Sequence, residues 1–264
     1  MNPPPAPLPI SVVVVARNEA AHLPRCLASV QGWVSEIVVA LNETTDGSAA
    51  VAEAAGASVR TVPWLGFRDT KNAAMEFARW PWALFLDADE EVSAELRDDL
   101  EHFLGSDEPG GFAGARFPRK VWFIDRWILH GDWYPDYVVR LVRIGRGRWG
   151  GDPFVHERLV CDGPVATLRG ELLHHSFPTL SSHVAKITPY ADLFVRRRID
   201  AGQRFSAAEA VARPAWRFVR AYFIKRGFLD GFPGFYIAWA TAFGSLVRYS
   251  RLYEAECQAP PPVR

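Results

Sequence analysis

Asp87 and Asp89 stand one residue apart in WALFLDADEE, residues 82–91. The apolar run Ala83–Leu86 directly before them reads as a buried strand that carries carboxylates to the edge of a sheet. Open α/β sheets bind their ligands at that edge, and two hard oxygen ligands so close together suit Mg2+ or Mn2+. A metal held there would neutralise a diphosphate. The same acids also read as the solvated start of a helix at 92–96, because acidic side chains favour a first turn.

Two further stretches mix chemistry-bearing residues. HGDWYPD, residues 130–136, sets Trp133 and Tyr134 beside Asp132 and Asp136, and is followed by Arg140 in YVVRLVR. Aromatic rings beside carboxylates suit a sugar, whose C–H face wants an apolar platform and whose hydroxyls want acceptors; an aromatic core with surface acids is the plainer reading. GGDPFVHER, residues 150–158, places His156 and Glu157 in a loop entering a strand, and His174-His175 lies at the end of 166–173. A single histidine in either place is more often structural than a ligand.

The elements that must position these residues alternate strand and helix. Strands are expected at 10–16, 36–41, 57–62 and 83–86, with helices at 20–32, 49–55 and 70–78, the last presenting Lys71 and Asn72 in its first turn. Gly56 suits the C-terminal cap of the second helix. Three βα units before an acidic strand end describe a doubly wound sheet with right-handed crossovers. Beyond residue 110 the pattern turns more strand-like, and from Leu180 it is helical and basic. Residues 206–226 interleave Arg213, Arg217, Arg220, Lys225 and Arg226 with Trp216, Phe218, Tyr222 and Phe223, as an interfacial helix facing anionic lipid would, or as a solvated basic face over an aromatic core would.

Composition narrows the class. The 264 residues are 49% hydrophobic and 23% charged, as in ordinary globular proteins, and the net charge of zero hides two unlike halves. Residues 1–110 carry 7 Lys and Arg against 17 Asp and Glu, a net −10, while residues 111–264 carry 23 against 13, a net +10. The basic half suits an anionic partner. Cys26, Cys161 and Cys257 form no CxxC, so neither a zinc site nor a disulfide framework is expected, and a reducing cytoplasm fits. No window reaches the roughly 18–20 apolar residues of a membrane span; 231–247 comes nearest and is better suited to lying against a bilayer.

With these residues assembled, the chain resembles the family 2 glycosyltransferases of the GT-A fold, and within them the lipopolysaccharide core group that includes the WaaE and KdtX transferases. The resemblance rests on Arg17-Asn18-Glu19 after the first strand, TTDGS at 44–48, Lys71-Asn72, LDADE at 86–90, HGDWYPD with RLVR at 140–143, VHE at 155–157, and KRGFLDG with PGF at 225–235. It implies an α/β fold, a Rossmann-like doubly wound mixed sheet with a C-terminal helical, membrane-facing appendage. The implied domains are a leader at 1–9, a transferase domain at 10–178 with a nucleotide-sugar half (10–110) and an acceptor half (111–178), and a basic aromatic helical region at 179–264.

The activity so implied is inverting, metal-dependent transfer of a hexose from a nucleotide diphosphate sugar, a UDP-sugar, to a lipopolysaccharide-core or other lipid-linked acceptor. Ala16, Arg17, Asn18, Glu19, Asn42, Asp46, Lys71, Asp87, Ala88 and Asp89 would bind the donor, with Asp87 on the ribose and Asp89, aided by Asp87, on Mg2+ or Mn2+. Leu41 stands where relatives commonly carry an aspartate that touches the base, so Asn42 or Glu43 would have to take that contact. Trp133, Tyr134, Arg140 and His156 would meet the acceptor. The base is Asp136, with Glu157 as the other candidate. The expected partners are the donor, the acceptor and an anionic membrane surface, with no nucleic acid, and the expected location is the inner face of the cytoplasmic membrane. Two other readings compete: a haloacid-dehalogenase-like phosphohydrolase, and a non-catalytic membrane or nucleic-acid binding module.

Overall fold

The structure, a computed structural model, describes residues 6–105, 108–151, 157–185 and 187–258. His156, Lys186 and most of the expected leader lie outside the described residues. Two compact units divide the chain: one comprises 1–119 and 136–174, the other 120–135 and 175–264. Residues 120–135 thus group with the C-terminal helices.

The first unit is built on a mixed sheet. Its strands are β1 (Leu8–Ala16), β2 (Val34–Leu41), β3 (Ser58–Thr61), β4 (Trp82–Asp87), β5 (Glu90–Val92), β6 (Gly114–Phe123, whose last four residues belong to the second unit), β8 (Asp136–Arg143), β11 (Val165–Thr167) and β12 (Leu172–Phe177, whose last three residues belong to the second unit), with β7 (Arg126–Trp127) in the second unit. The order is β3-β2-β1-β4-β8-β6-β12-β5, with β11 and β7 paired to β6. β3, β2, β1 and β4 run parallel, and β8 turns the sheet antiparallel against β4 through Trp82↔Arg143 and Leu84↔Leu141. A separate hairpin joins β9 (Gly147–Gly150) to β10 (Arg158–Cys161).

Helices α1 (Leu23–Ala28), α2 (Ser48–Ala54), α3 (Phe67–Met75) and α4 (Ala94–Gly105) cover the sheet. Because side chains alternate along a strand, Val12 and Val14 join one buried cluster with Leu23, Leu27, Ala52, Leu96 and Leu100. Val13, Ala83 and Phe85 join the other with Ala74, Trp149 and Leu159. Burial on both faces explains the near-continuous β-branched run of β1.

Two expectations need correction here. The first helix is six residues long, shorter than 20–32, with turns on either side of it. Val92 is not helical: Glu90–Val92 pairs antiparallel with Leu172–His174, and α4 starts only after Ser93, whose Oγ accepts from Leu96 N at 3.1 Å. The antiparallel pairing holds the acids in a strand where local propensity alone favours a helical turn.

The second unit carries α5 (Leu180–Ala185), α6 (Ile187–Asp200), α7 (Ala207–Val219) and α8 (Gly231–Gln258), with a π-helical segment at Arg220–Ile224 and a 3-10 turn at Gly227–Asp230. Phe123, Ile128 and Ile237 form its buried centre, joined by Trp133, Phe177 and Tyr236. Among the described residues no helix is long and apolar enough to cross a membrane.

Candidate active site

Asp87, the last residue of β4, is gripped from two sides. Lys71 Nζ, from the first turns of α3, lies 2.9 Å from Asp87 Oδ1, and Arg140 Nη2, from β8, donates to Asp87 Oδ2 at 2.6 Å. Lys71 is buried rather than solvated, with its ammonium 4.4 Å from the centre of the Trp149 ring. Trp149 is fixed in turn by Asn72, whose Oδ1 accepts from Trp149 N at 2.9 Å and whose Nδ2 donates to Trp149 O at 3.0 Å. The Lys71-Asn72 pair therefore has two tasks, one cationic and one architectural.

Burial alone would raise the Asp87 carboxyl, but Arg140 and Lys71 outweigh it and hold the group well below its ordinary value of 3.8. A carboxyl lowered on folding adds stability that is complete above its unfolded value and disappears as the pH falls through its folded value. The unfolding midpoint should therefore drop between pH 6 and pH 3 by more in the wild type than in Asp87→Asn, as measured by thermal denaturation. Equal drops in the two proteins would refute the coupling.

The clamp extends into a chain of alternating charges. Arg140 Nη2 also donates to Glu90 Oε1 at 2.7 Å, and Glu90 Oε2 accepts from Asp87 N at 2.9 Å. Arg119 Nη1 reaches the same Glu90 Oε1 at 3.3 Å, and its Nη2 reaches Asp136 Oδ2 at 2.7 Å. On the other side Lys71 Nζ donates to Glu157 Oε1 at 3.1 Å. Both candidate bases are thereby tied to the carboxyl edge of β4. Glu90 and Arg119 were not singled out as site residues from the sequence. Glu90 adjoins the Asp-x-Asp and could have been; nothing local marks Arg119.

Asp89 has a different neighbour. Its Oδ2 lies 3.2 Å from His174 Nε2 in β12, and its side chain keeps 28% of its surface exposed. Among the described residues no group of three or more His, Cys, Asp or Glu is placed to hold a metal. One carboxylate oxygen and one imidazole nitrogen fit a Mg2+ or Mn2+ that takes its other ligands from phosphates and water, which is how such ions are commonly held at diphosphates. The donor set is therefore compatible with the metal, through Asp89 and His174. Asp87 is engaged by Lys71 and Arg140, so it is less free to serve as the second ligand.

The residues expected around the nucleoside line the same edge. Asn18, at φ +57°, follows β1, and its Oδ1 accepts from Thr45 N at 2.8 Å and Asp46 N at 3.3 Å. Asparagine tolerates this left-handed conformation better than most residues. Asp46 accepts from Ser48 N at 2.9 Å and Ala20 N at 3.1 Å, and its hydrogen bonds from Ser48 hold the carboxyl below the ordinary range. Glu19 N donates to Ser48 Oγ at 2.9 Å. Asn18 and Asp46 thus tie the 17–20 and 44–48 loops together. Arg17 pairs with Glu43 at 2.9 Å in the open, a contact of little energetic weight. Ala16 and Ala88 are buried, and so is Asn42, whose Oδ1 has no hydrogen-bond partner among the described residues.

On the expected acceptor side the structure departs from the sequence reading. Arg140 is 5% exposed and both its carboxylate partners are internal to the donor edge, so it braces Asp87 instead of meeting a glycan. Trp133 stacks on Phe177 at 5.0 Å and packs edge-on to Phe123 at 5.6 Å, inside the aromatic centre of the second unit. That packing favours the core reading over an open sugar platform for Trp133. Tyr134, half-buried, precedes a cis Pro135.

A mixed, doubly wound sheet with paired aspartates at its carboxyl edge is the arrangement of a GT-A glycosyltransferase. The chain belongs to glycosyl transferase family 2: residues 11–144 match the family model "Glycosyl transferase family 2". It is 30% identical to the lipopolysaccharide core biosynthesis glycosyltransferase LpsC of Rhizobium meliloti (strain 1021), over 94% of this chain and 93% of LpsC. In three dimensions it is distantly similar to S. aureus TarS 1-349 in complex with UDP, with 13% identity, 96% and 93% of the chains covered and a TM-score of 0.46. Glucosyl-3-phosphoglycerate synthase from Mycobacterium tuberculosis, crystallised with Mn2+, UDP and glucosyl-3-phosphoglycerate, aligns with 24% identity, 43% and 44% coverage and a TM-score of 0.35. The protein is thus an enzyme of the glycosyltransferase class, and the phosphohydrolase and binding-module readings are set aside.

Proposed function

We propose that this glycosyltransferase moves a hexose, with inversion, from a nucleotide diphosphate sugar, a UDP-sugar, to a lipopolysaccharide-core or other lipid-linked acceptor at the inner face of the cytoplasmic membrane. The observation that carries the reading is the division of labour at the edge of β4: Asp87 clamped by Lys71 and Arg140, Asp89 left beside His174 with exposed surface. A clamped carboxylate suits a fixed contact to ribose, and a partly exposed one beside an imidazole suits a divalent ion. The acceptor class follows the similarity to LpsC.

In this scheme Asp89 and His174 would hold the metal, which would supply Lewis-acid neutralisation of the departing diphosphate. Lys71 stands ready on the same side as a cation. The acceptor hydroxyl attacks the anomeric carbon, its proton passes to a carboxylate, and the bond to the diphosphate oxygen breaks with its electron pair on that oxygen. Asp136 is the base: both candidates pair with a cation, Asp136 with Arg119 and Glu157 with the buried Lys71, but the Asp136 side chain is 42% exposed against 19% for Glu157. Glu157 positions Lys71.

Incubation with a panel of nucleotide sugars, Mg2+ or Mn2+ and membrane acceptors should release nucleoside diphosphate; no turnover of any donor would sink the proposal. Asp136→Asn should lower kcat roughly a hundredfold to ten-thousandfold, the usual contribution of a general base, while Glu157→Gln should act mainly on KM for the donor. If Asp136→Asn keeps a near-normal rate and Glu157→Gln does not, the two roles are exchanged.

A further inference from the structure

HGDW at 130–133 and KRGFLDG at 225–231 leave the donor chemistry unexplained, yet the fold of the second unit brings them together. Gly131 N donates to Lys225 O at 2.9 Å, and Asp230 accepts from Leu129 N, His130 N and, at 3.0 Å, pairs with His130 Nδ1. The fit is close, since a Cβ on Gly227 would come within 2.7 Å of Ala221 O. Seated in this joint is Asp132, its side chain 9% exposed.

Three cations converge on that one carboxylate. Arg220 Nη1 donates to Asp132 Oδ1, Lys225 Nζ lies 3.8 Å from the same oxygen, and Arg217 Nη1 lies 3.9 Å from Oδ2, which makes no hydrogen bond among the described residues. The anion is internal, whereas the cations keep from 34 to 46% of their side-chain surface open, so the cluster of three cations and one carboxylate carries a net charge of +2 among the described residues. Hydrophobic side chains of the same segments are more open still: Phe223, Ile224, Phe228 and Leu229 are 46 to 59% exposed. Tyr222 links this apolar group to α8, with its ring 5.0 Å from Phe223, 6.2 Å from Phe228 and 5.7 Å from Phe235. Contiguous exposed apolar side chains next to a fixed cationic cluster are unusual on a soluble surface and match an amphiphile whose head is anionic.

We propose that the 217–229 face docks on an anionic bilayer, with lipid phosphates received by Arg217, Arg220 and Lys225 around Asp132 and with Phe223, Ile224, Phe228 and Leu229 entering the interfacial layer. The proposal rests on the membrane-facing part of the proposed function and identifies the residues that would carry it. Asp132 serves as the fixed counter-charge that holds the three cations together, and none of these residues belongs to the donor edge.

The test is flotation of the full chain with phosphatidylglycerol vesicles, phosphatidylcholine vesicles and no vesicles. The wild type should bind phosphatidylglycerol and bind it less at about 0.5 M salt, where screening shortens the reach of charge. Arg217→Gln combined with Lys225→Gln keeps Arg220 against Asp132, so folding is spared, and should weaken binding about thirtyfold, at the usual worth of a basic residue near an anionic surface. Phe223→Ser with Leu229→Ser should weaken it at least tenfold. Equal binding to both vesicle types, or competition by millimolar inorganic phosphate as strong as by vesicles, overturns the lipid assignment. A dimer in solution that is lost in the Phe223→Ser/Leu229→Ser variant, without vesicle binding, gives the face to a second copy of the chain. Donor turnover measured on the same variants without vesicles separates this outcome from failure of the transferase reading.

Discussion

Arg140→Met should lower the unfolding free energy by about 3–5 kcal/mol, the usual result of removing one partner from a buried ion pair. Methionine fills similar volume, so the loss comes from charge rather than from a cavity. Arg140 touches both Asp87 and Glu90, at 2.6 and 2.7 Å, and Glu90 has no exposed side-chain surface. Without Arg140 two carboxylates face one another across the end of β4, with Lys71 on the far side of Asp87 and Arg119 at 3.3 Å from Glu90. Chemical denaturation gives the number directly. A loss below about 1 kcal/mol, the worth of an exposed pair, would show that the cluster is solvated in solution. Glu90→Gln in the Arg140→Met background should recover part of the loss, because one of the stranded charges is then gone.

Asp89→Asn should leave the unfolding curve almost unchanged and lower sugar transfer roughly a hundredfold to ten-thousandfold, in line with the several kcal/mol that a divalent ion supplies to a developing anion. The carboxylate keeps 28% of its surface exposed and has His174 at 3.2 Å, so the amide loses charge without leaving a buried ion unpaired. Calorimetric titration with UDP and Mn2+ should show weaker binding in Asp89→Asn and in His174→Ala, while UDP alone binds both as it binds the wild type. Unchanged metal-dependent affinity in both variants would remove Asp89 from the metal site. The contrast with Arg140→Met is the useful feature: one variant should lose stability, the other chemistry.

The parts of the site that were legible in the sequence are those set by short-range pattern. Apolar runs of four to nine residues give β1, β2 and β4, and a run that ends in Asp87-Ala88-Asp89 marks the ligand edge without any knowledge of the partners. Gly56 ends a helix at φ +78°, as its position predicts. Burial of Lys71 was not legible, because an exposed lysine in a first turn and a buried one have the same local sequence.

Its burial depends on Trp149 lying across α3, which depends on the β9–β10 hairpin some 77 residues away. The carboxylate partners of Arg140 were not legible for the same reason. Its distance from Asp87 along the chain is 53 residues, and only the antiparallel register of β8 on β4 converts it from an acceptor contact into a brace. His174 required β12 to pair with β5, a pairing that also keeps Val92 in a strand and delays the helix to Ala94.

The sequence by itself therefore determined the class of sheet, its acidic edge and the charge asymmetry of the two halves, since strand pattern, side-chain chemistry and net charge are properties of neighbouring residues or of composition. Tertiary structure decided which charge meets which: Arg140 and Lys71 on Asp87, His174 on Asp89, Arg119 between Glu90 and Asp136, and Asp132 among Arg217, Arg220 and Lys225. Ion pairs between distant segments are fixed by register and packing, to which the local pattern of hydrophobic and polar residues is blind.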